Sequence, residues 1–289
     1  MESVPDTDRI YLLVHNLTNP DTRPEAMEEL GKMRDIPKAS ELLALILWNS
    51  FGSIAALLQE VVCLYPLLSF TKQIKNHANR TCNALALLQC VAAHNETRIP
   101  FFQSGIVMFL FPILNTVTKQ NPFELLRLTS LGVIGALVKT DDPEVIHFLL
   151  NTELIPLCLR IMDIGLDLSK TLAVFILQKI LTDDAGLNFV CSVPSRLQLV
   201  SEVFCRVIKI ALPKAPLPVE NNDQRKRLFK HIIRCYCRLV DDPSAVAFLR
   251  QNIPVPLVDG HLASFFRDDP NVAQILQQLH DSLDGDVRM

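Results

Sequence analysis

The segment "LGVIGALVKTDDPEVIHFLLNTELIPLCLRIMD", Leu131–Asp163, sets an almost wholly apolar helical run, a Thr-Asp-Asp-Pro turn and two further apolar stretches side by side, with no catalytic group among them. The turn predicts a helix on either side. Its second Asp can cap the next helix, and Pro at the first helical position gives up only an N–H that had no partner. Asp142-Pro143 and Asp242-Pro243 share this chemistry. Asn19-Pro20 reads the same way, so a first, more degenerate repeat is expected to begin there.

Other polar turns fall into line with this one. "CVAAHNETR", "ILTDDAGL" and "RLVDDPSAV" each follow an apolar helix. Asp141 and Asp183 are 42 residues apart, His94 lies 47 residues before Asp141, and Asp183 and Asp241 are 58 apart. Periods of about 40–47 residues with several helices per unit mark armadillo or HEAT repeats. Each turn leads into a short helix ("PEVIHFLL"), a second ("ELIPLCLRIMD") and a longer third ("LSKTLAVFILQKIL"). That third helix keeps only a narrow polar stripe, Lys170, Thr171, Gln178 and Lys179. A helix apolar nearly all round must be covered on most sides, as stacked repeats do for one another. Gly132, Gly135 and Ala136 would let neighbouring helices approach closely. The expected fold is all-α: an armadillo-type, right-handed superhelical solenoid of about six repeats.

Three boundaries complete this organisation. Residues 1–8 read as a flexible N-terminus, 9–270 as the armadillo-repeat domain, and 271–289 as a C-terminal helix and frayed tail. "LPKAPLPVENNDQRKR", 212–227, carries three prolines and then a charged run. It is expected to be an exposed loop inserted between the third and fourth units, which explains the long 58-residue spacing.

Composition agrees with a helical, non-secreted protein. Of 289 residues, 49% are hydrophobic and only 9 are Gly, which favours helix over sheet. Lys+Arg total 28 against Asp+Glu 31, so the net charge of -3 leaves any nucleic-acid affinity to local patches. The start, "MESVPDTDR", lacks the basic and apolar regions of a signal peptide. "GIVMFLFPIL" is far shorter than a membrane span. The 8 cysteines form no CxxC pair and read as buried free thiols of a reducing compartment, nuclear or cytoplasmic.

Chemistry is sparse and binding surfaces are the better candidates. No phosphate-binding, dinucleotide, nucleophile-elbow or HExxH motif occurs, so no cofactor, metal or catalytic residue is expected. His231 and Cys235 have a metal-compatible i, i+4 spacing, but two ligands are not four. In "WNSFGSIAALLQEVVCLYP", Phe51, Ala55, Leu58 and Val62 form one helical stripe, either internal core or a partner surface with a shallow spot at Ala55. In "RKRLFKHIIR", Arg225, Arg227, Lys230 and Arg234 set positive charge at an expected helix start, where the macrodipole does not favour it. That is either a solvated face or a site for nucleic acid or an acidic protein. The third helices would line a peptide groove at Leu172, Phe175 and Lys179, or pack only between repeats.

The quoted helices, with "CNALALLQCVAAHNETR" and "PFELLRLTSLGVIGALVKTDD", closely resemble the required-for-cell-differentiation family, the armadillo-type subunit nine of the CCR-NOT deadenylase complex. The likeness covers about residues 9–270 and is most specific over 45–182. It implies a non-catalytic adaptor that docks on the large NOT scaffold subunit. Such an adaptor recruits repressor proteins to mRNA for deadenylation, decay and translational repression. The resemblance further implies a transcriptional cofactor role, homodimers, binding of single-stranded nucleic acid, and residence in nucleus, cytoplasm and P-bodies. Phe51, Ala55 and Val62 match the family's scaffold-docking helix, Leu172 a groove position for helical motifs of RNA-binding repressors, and Arg227 a basic residue implicated in nucleic-acid binding. Asn49 stands where the family usually has His. The family's Trp pockets, which hold Gly-Trp-repeat silencing proteins, map to Pro194, Arg196, Ser244 and Phe248. Only Arg196 keeps the family type; Phe248 in place of Ala would fill a slot. Trp capture is therefore expected to be weakened or lost, as in a divergent paralogue.

Overall fold

The computed structural model of the chain describes residues 7–70, 73–212, 219–266 and 269–284, and every regular element among them is helical. The chain divides into two compact units, Met1–Thr140 and Asp141–Met289. The first unit opens with α1 (Thr7–Asn16) and α2 (Arg23–Met33). It continues through α3 (Pro37–Asn49), α4 (Ser53–Val62) and the long α5 (Ile74–Ala93). Then come α6 (Asn95–Gln103), a 3-10 turn (Ile106–Leu110) running into α7 (Phe111–Leu114), and α8 (Phe123–Val138). The second unit holds α9 (Pro143–Leu150), α10 (Leu154–Ile164) and α11 (Asp167–Thr182), followed by α12 (Asp184–Cys191), α13 (Pro194–Ala211) and α14 (Val219–Leu239). It closes with α15 (Pro243–Asn252), the short α16 (Val255–Val258) and α17 (His261–Phe265), and α18 (Pro270–Asp284).

The helices recur in threes, and the third members pack on one another: α5 on α8 in the first unit, α11 on α14 and α14 on α18 in the second. This is the all-α armadillo-type repeat expected from the turn spacing. The apolar third helices are buried as that packing requires. In α8, Leu126, Leu131, Val133, Ile134, Leu137 and Val138 have no exposed surface, and in α11 neither do Ala173, Val174, Ile176, Leu177, Ile180 and Leu181. Each such Leu, Ile or Val side chain stabilises the fold by about 1.5–3 kcal/mol. A Cβ at Gly132 would lie 3.0 Å from Gln89 Oε1 of α5, so glycine there lets α5 and α8 close up.

The turn acids cap as expected, one residue later than the alignment placed two of them. Asp142 accepts from Glu144 N, Asp183 from Ala185 N and Gly186 N, and Asp242 from Ser244 N and Ala245 N. His94 does the same for Glu96 N with its Nδ1. Asp141 instead adopts a left-handed backbone (φ 55) and its carboxylate holds Lys179 Nζ at 2.7 Å. Asn19 does not cap a helix: its Oδ1 accepts from Asp21 N in a turn, and α2 starts at Arg23.

Two limits drawn from the sequence move. The loop expected over 212–227 is shorter, because α14 already runs from Val219. The prolines forbid helix only up to Pro218, and the following run of Gln, Arg and Lys is good helix material. Residues 213–218 lie outside the described residues, as do 1–6 and 285–289. Helix α18 was set apart at 270 as a C-terminal appendage, yet it packs on α14, α15 and α17 as the third helix of the last triplet.

Candidate partner-docking site

Helix α4 divides cleanly into two faces. Gly52 turns the chain out of α3 with φ 81 and precedes the first turn of α4; a Cβ there would also crowd Thr18 Cγ2 at 3.3 Å. Ser53, Ala56, Leu57, Glu60 and Val61 are buried on the inner face. The Ser53 hydroxyl bonds to the carbonyls of Leu47 and Ser50 at the end of α3. Glu60 takes a two-pronged pair from Arg80 of α5, Nε–Oε2 at 3.0 Å and NH2–Oε1 at 2.8 Å, and a further bond from Arg23 NH1 of α2 at 3.1 Å. Thr81 Oγ1 donates to Glu60 O at 3.0 Å. The inner face is thus tied to two neighbouring helices by charge as well as by packing.

The outer face carries Ala55, Leu58 and Val62 of the stripe read from the sequence, and Phe51 stands beside them in the turn before α4 rather than in the helix. Phe51 is fully exposed (102%), Val62 and Ala55 are exposed, and Leu58 is half-buried. Burying α4 by its other side resolves the choice between core and surface, since the first unit leaves Phe51, Ala55 and Val62 uncovered and covers Leu58 only in part. Beside them lies a groove of about 680 Å³, walled by Tyr11 and His15 of α1 and by Phe51, Ala55 and Gln59, with Arg23 also lining it. Tyr11, His15 and Arg23 were missed by the sequence reading. Tyr11 and His15 share an i, i+4 face of α1, the only signal available. Asn49, the departure noted above, is exposed and donates from Nδ2 to Leu45 O at 2.9 Å.

The second unit's candidates are more fully engaged by their own fold. Leu172 and Phe175 of α11 are half-buried, and Phe175 meets the His231 ring of α14 edge-on at 5.5 Å. His231 Nδ1–H donates to Gln178 Oε1 at 2.6 Å, and burial, with Arg234 adding to it, lowers the imidazole pKa to about 4. Lys179 is held by Asp141, so this groove charge is already matched. On α14, Arg225 approaches Asp167 at 3.8 Å and Lys230 pairs with Asp269 at 2.5 Å; that bond lowers the pKa of Asp269. Arg227 and Arg234 are exposed. All four basic residues lie beyond the first turn of a helix that starts at Val219, where the macrodipole falls off, so it does not disfavour their charge, which corrects the expectation from sequence.

The Trp-pocket positions do other work. Pro194 opens α13, Arg196 NH1 donates to Phe189 O at 2.7 Å and its guanidinium stacks 3.8 Å over the Phe189 ring. Ser244 supports the Asp242 cap, and Phe248 is half-buried on α15. The His231–Cys235 spacing makes no metal site: Cys235 is buried with its thiol pKa pushed up, and no cluster of three or more metal-ligating side chains occurs among the described residues. Burial also raises the Cys158 thiol to about 12 and Cys191 to about 11, which keeps them protonated and unreactive. Cys63, at the end of α4, is exposed, against the expectation of burial.

A repeat protein whose most prominent feature is a bare apolar helix face beside an open groove belongs to the class of helical interaction proteins. Its sequence matches the Rcd1-like cell differentiation family over residues 13–283, and the chain belongs to that family. It is 48% identical to cell differentiation protein rcd1 of Schizosaccharomyces pombe, covering 93% of this chain and 91% of that one. It is 45% identical to protein CAF40 of Saccharomyces cerevisiae, covering 95% of this chain and 70% of the relative. The family is non-catalytic, and the chain is not an enzyme. A crystal structure of an engineered protein matches with a TM-score of 0.65 at 14% identity, over 96% of this chain and 97% of that one, a likeness of fold alone.

Proposed function

We propose that the protein is a non-catalytic adaptor subunit of the CCR-NOT deadenylase complex. It docks on the large NOT scaffold subunit through the outer face of α4 and recruits RNA-binding repressors to mRNA for deadenylation, decay and translational repression. It works in nucleus and cytoplasm, including P-bodies, with a transcriptional cofactor role in the nucleus. Helical motifs of the repressors lie against Leu172 and Phe175. The observation that carries the docking reading is the fully exposed Phe51, in the turn leading into a helix whose opposite face is tied down by Glu60. Exposed aromatic and aliphatic side chains in one contiguous stripe are what a stable protein partner buries.

The test is capture of the large NOT scaffold subunit by the purified protein. Ala55→Tyr and Val62→Tyr should each abolish capture while leaving the thermal melt unchanged. Capture undiminished in both variants would remove α4 as the docking helix. A second reading, direct binding of single-stranded nucleic acid, is favoured by the exposure of Arg227 and Arg234 one above the other on α14.

A further inference from the structure

The groove beside α4 is apolar in its walls but positive at its floor. Glu60 is one negative charge shared between Arg80 and Arg23, so the cluster of three keeps one net positive charge. Arg23 is 6% exposed and lines the groove. A guanidinium carries five N–H donors. Here Nε donates to Leu17 O at 2.7 Å and NH1 to Glu60 Oε1 at 3.1 Å; the remaining donors have no partner among the described residues. These donors are not sealed from solvent, and a guanidinium with free donors at the floor of a groove attracts a carboxylate.

The helix ends around the groove add to that sign. Carbonyls at the end of α1 and in its following turn are engaged: Val14 O by Leu17 N, His15 O by Thr18, Asn16 O by Thr22 Oγ1 and Leu17 O by Arg23. Those donors offset part of the negative end of α1. The positive end of α4 is not offset, because no side chain caps it, and Ser50 and Gly52 at that end line the same groove. No Asp or Glu lines the groove.

We infer that the groove is a carboxylate-reading pocket: the partner helix that covers Phe51, Ala55, Leu58 and Val62 sends one Asp or Glu side chain between α1 and α4 onto Arg23. The inference rests on the docking function proposed above and adds the chemistry that selects the partner. The apolar stripe supplies area, and the buried guanidinium supplies register, since a partner helix displaced by one turn would leave its acid in an apolar wall and Arg23 unmatched.

The experiment measures affinity of the large NOT scaffold subunit for four forms of the full chain. His15→Glu places an acid in the groove at an exposed position and should weaken binding about tenfold, whereas His15→Lys should not. Arg23→Met leaves the Glu60–Arg80 pair intact and should also weaken binding about tenfold. Alanine replacement of each acid in the scaffold's docking helix should find one whose effect vanishes in the Arg23→Met background. Equal effects of His15→Glu and His15→Lys, or independence of every scaffold acid from Arg23, overturns the pocket while Ala55→Tyr still abolishes docking. Failure of the unaltered chain to bind the scaffold overturns both.

Discussion

The outer face of α4 and the exposed side of the α11–α14 pair are both candidate surfaces, but their fold treats them in opposite ways. On α4 the charges sit inside, under the helix, and the apolar residues are left outside without cover. On α11 and α14 the apolar residues are half covered and the charges lie outside, where Asp141 and Asp269 already hold Lys179 and Lys230. The first arrangement suits the burial of area against a large partner, as proposed above. The second leaves only Arg227 and Arg234 as exposed charges of the basic patch, which suits a weaker, salt-sensitive contact.

The largest expected effect tests the buried half of that contrast. Glu60→Leu should cost about 3–5 kcal/mol in denaturant unfolding, because Arg23 would remain buried beside no carboxylate. A cost under about 1 kcal/mol would mean that packing alone holds α4. Next is the backbone-tight seam of the second unit. A Cβ at Gly186 would run into the Ile180 carbonyl, so Gly186→Ala should destabilise by about 1–3 kcal/mol as α12 is pushed from α11. Scaffold capture by the first unit should persist in that variant under native conditions; its loss would break the separation drawn between the two surfaces.

A smaller effect reads the half-covered face. His231 has its folded pKa lowered to about 4 from an ordinary 6.5 by burial. The unfolded chain therefore takes up the proton first as pH falls. The stability that depends on a neutral His231 is complete above about pH 6.5 and is lost progressively towards pH 4, on the order of 1–2 kcal/mol after solvent screening. His231→Gln should flatten the difference in unfolding free energy between pH 7 and pH 4.5 by that amount, read from denaturant titrations at the two pH values. Smallest is the exposed charge. Arg227→Glu should change stability by less than about 0.5 kcal/mol. It should also reduce the salt dependence of single-stranded RNA binding by a slope of about 1. Lys230→Ala should alter that slope less, since Asp269 already holds its ammonium; an equal change would show that the ion pair opens on binding.

Sequence alone determined the helical repeat and the order of the array, though not the start of α14 at Val219. Asp-Pro turns, apolar third helices and their spacing are local signals, and each acts within a few residues: Asp142 caps α9 from two residues away. It also placed Phe51, Ala55, Leu58 and Val62 on one face, because helical period is a local property. Only tertiary structure decided which side of that face met the core, since period says what residues share but not what covers them. The same holds for charge. Arg23 and Glu60 are 37 residues apart, Lys179 and Asp141 are 38, and neither pairing has a motif. The Arg23 floor of the groove and the matching of Lys179 and Lys230 therefore appeared only once distant helices were packed together, because electrostatic pairing depends on distance in space and not on separation along the chain.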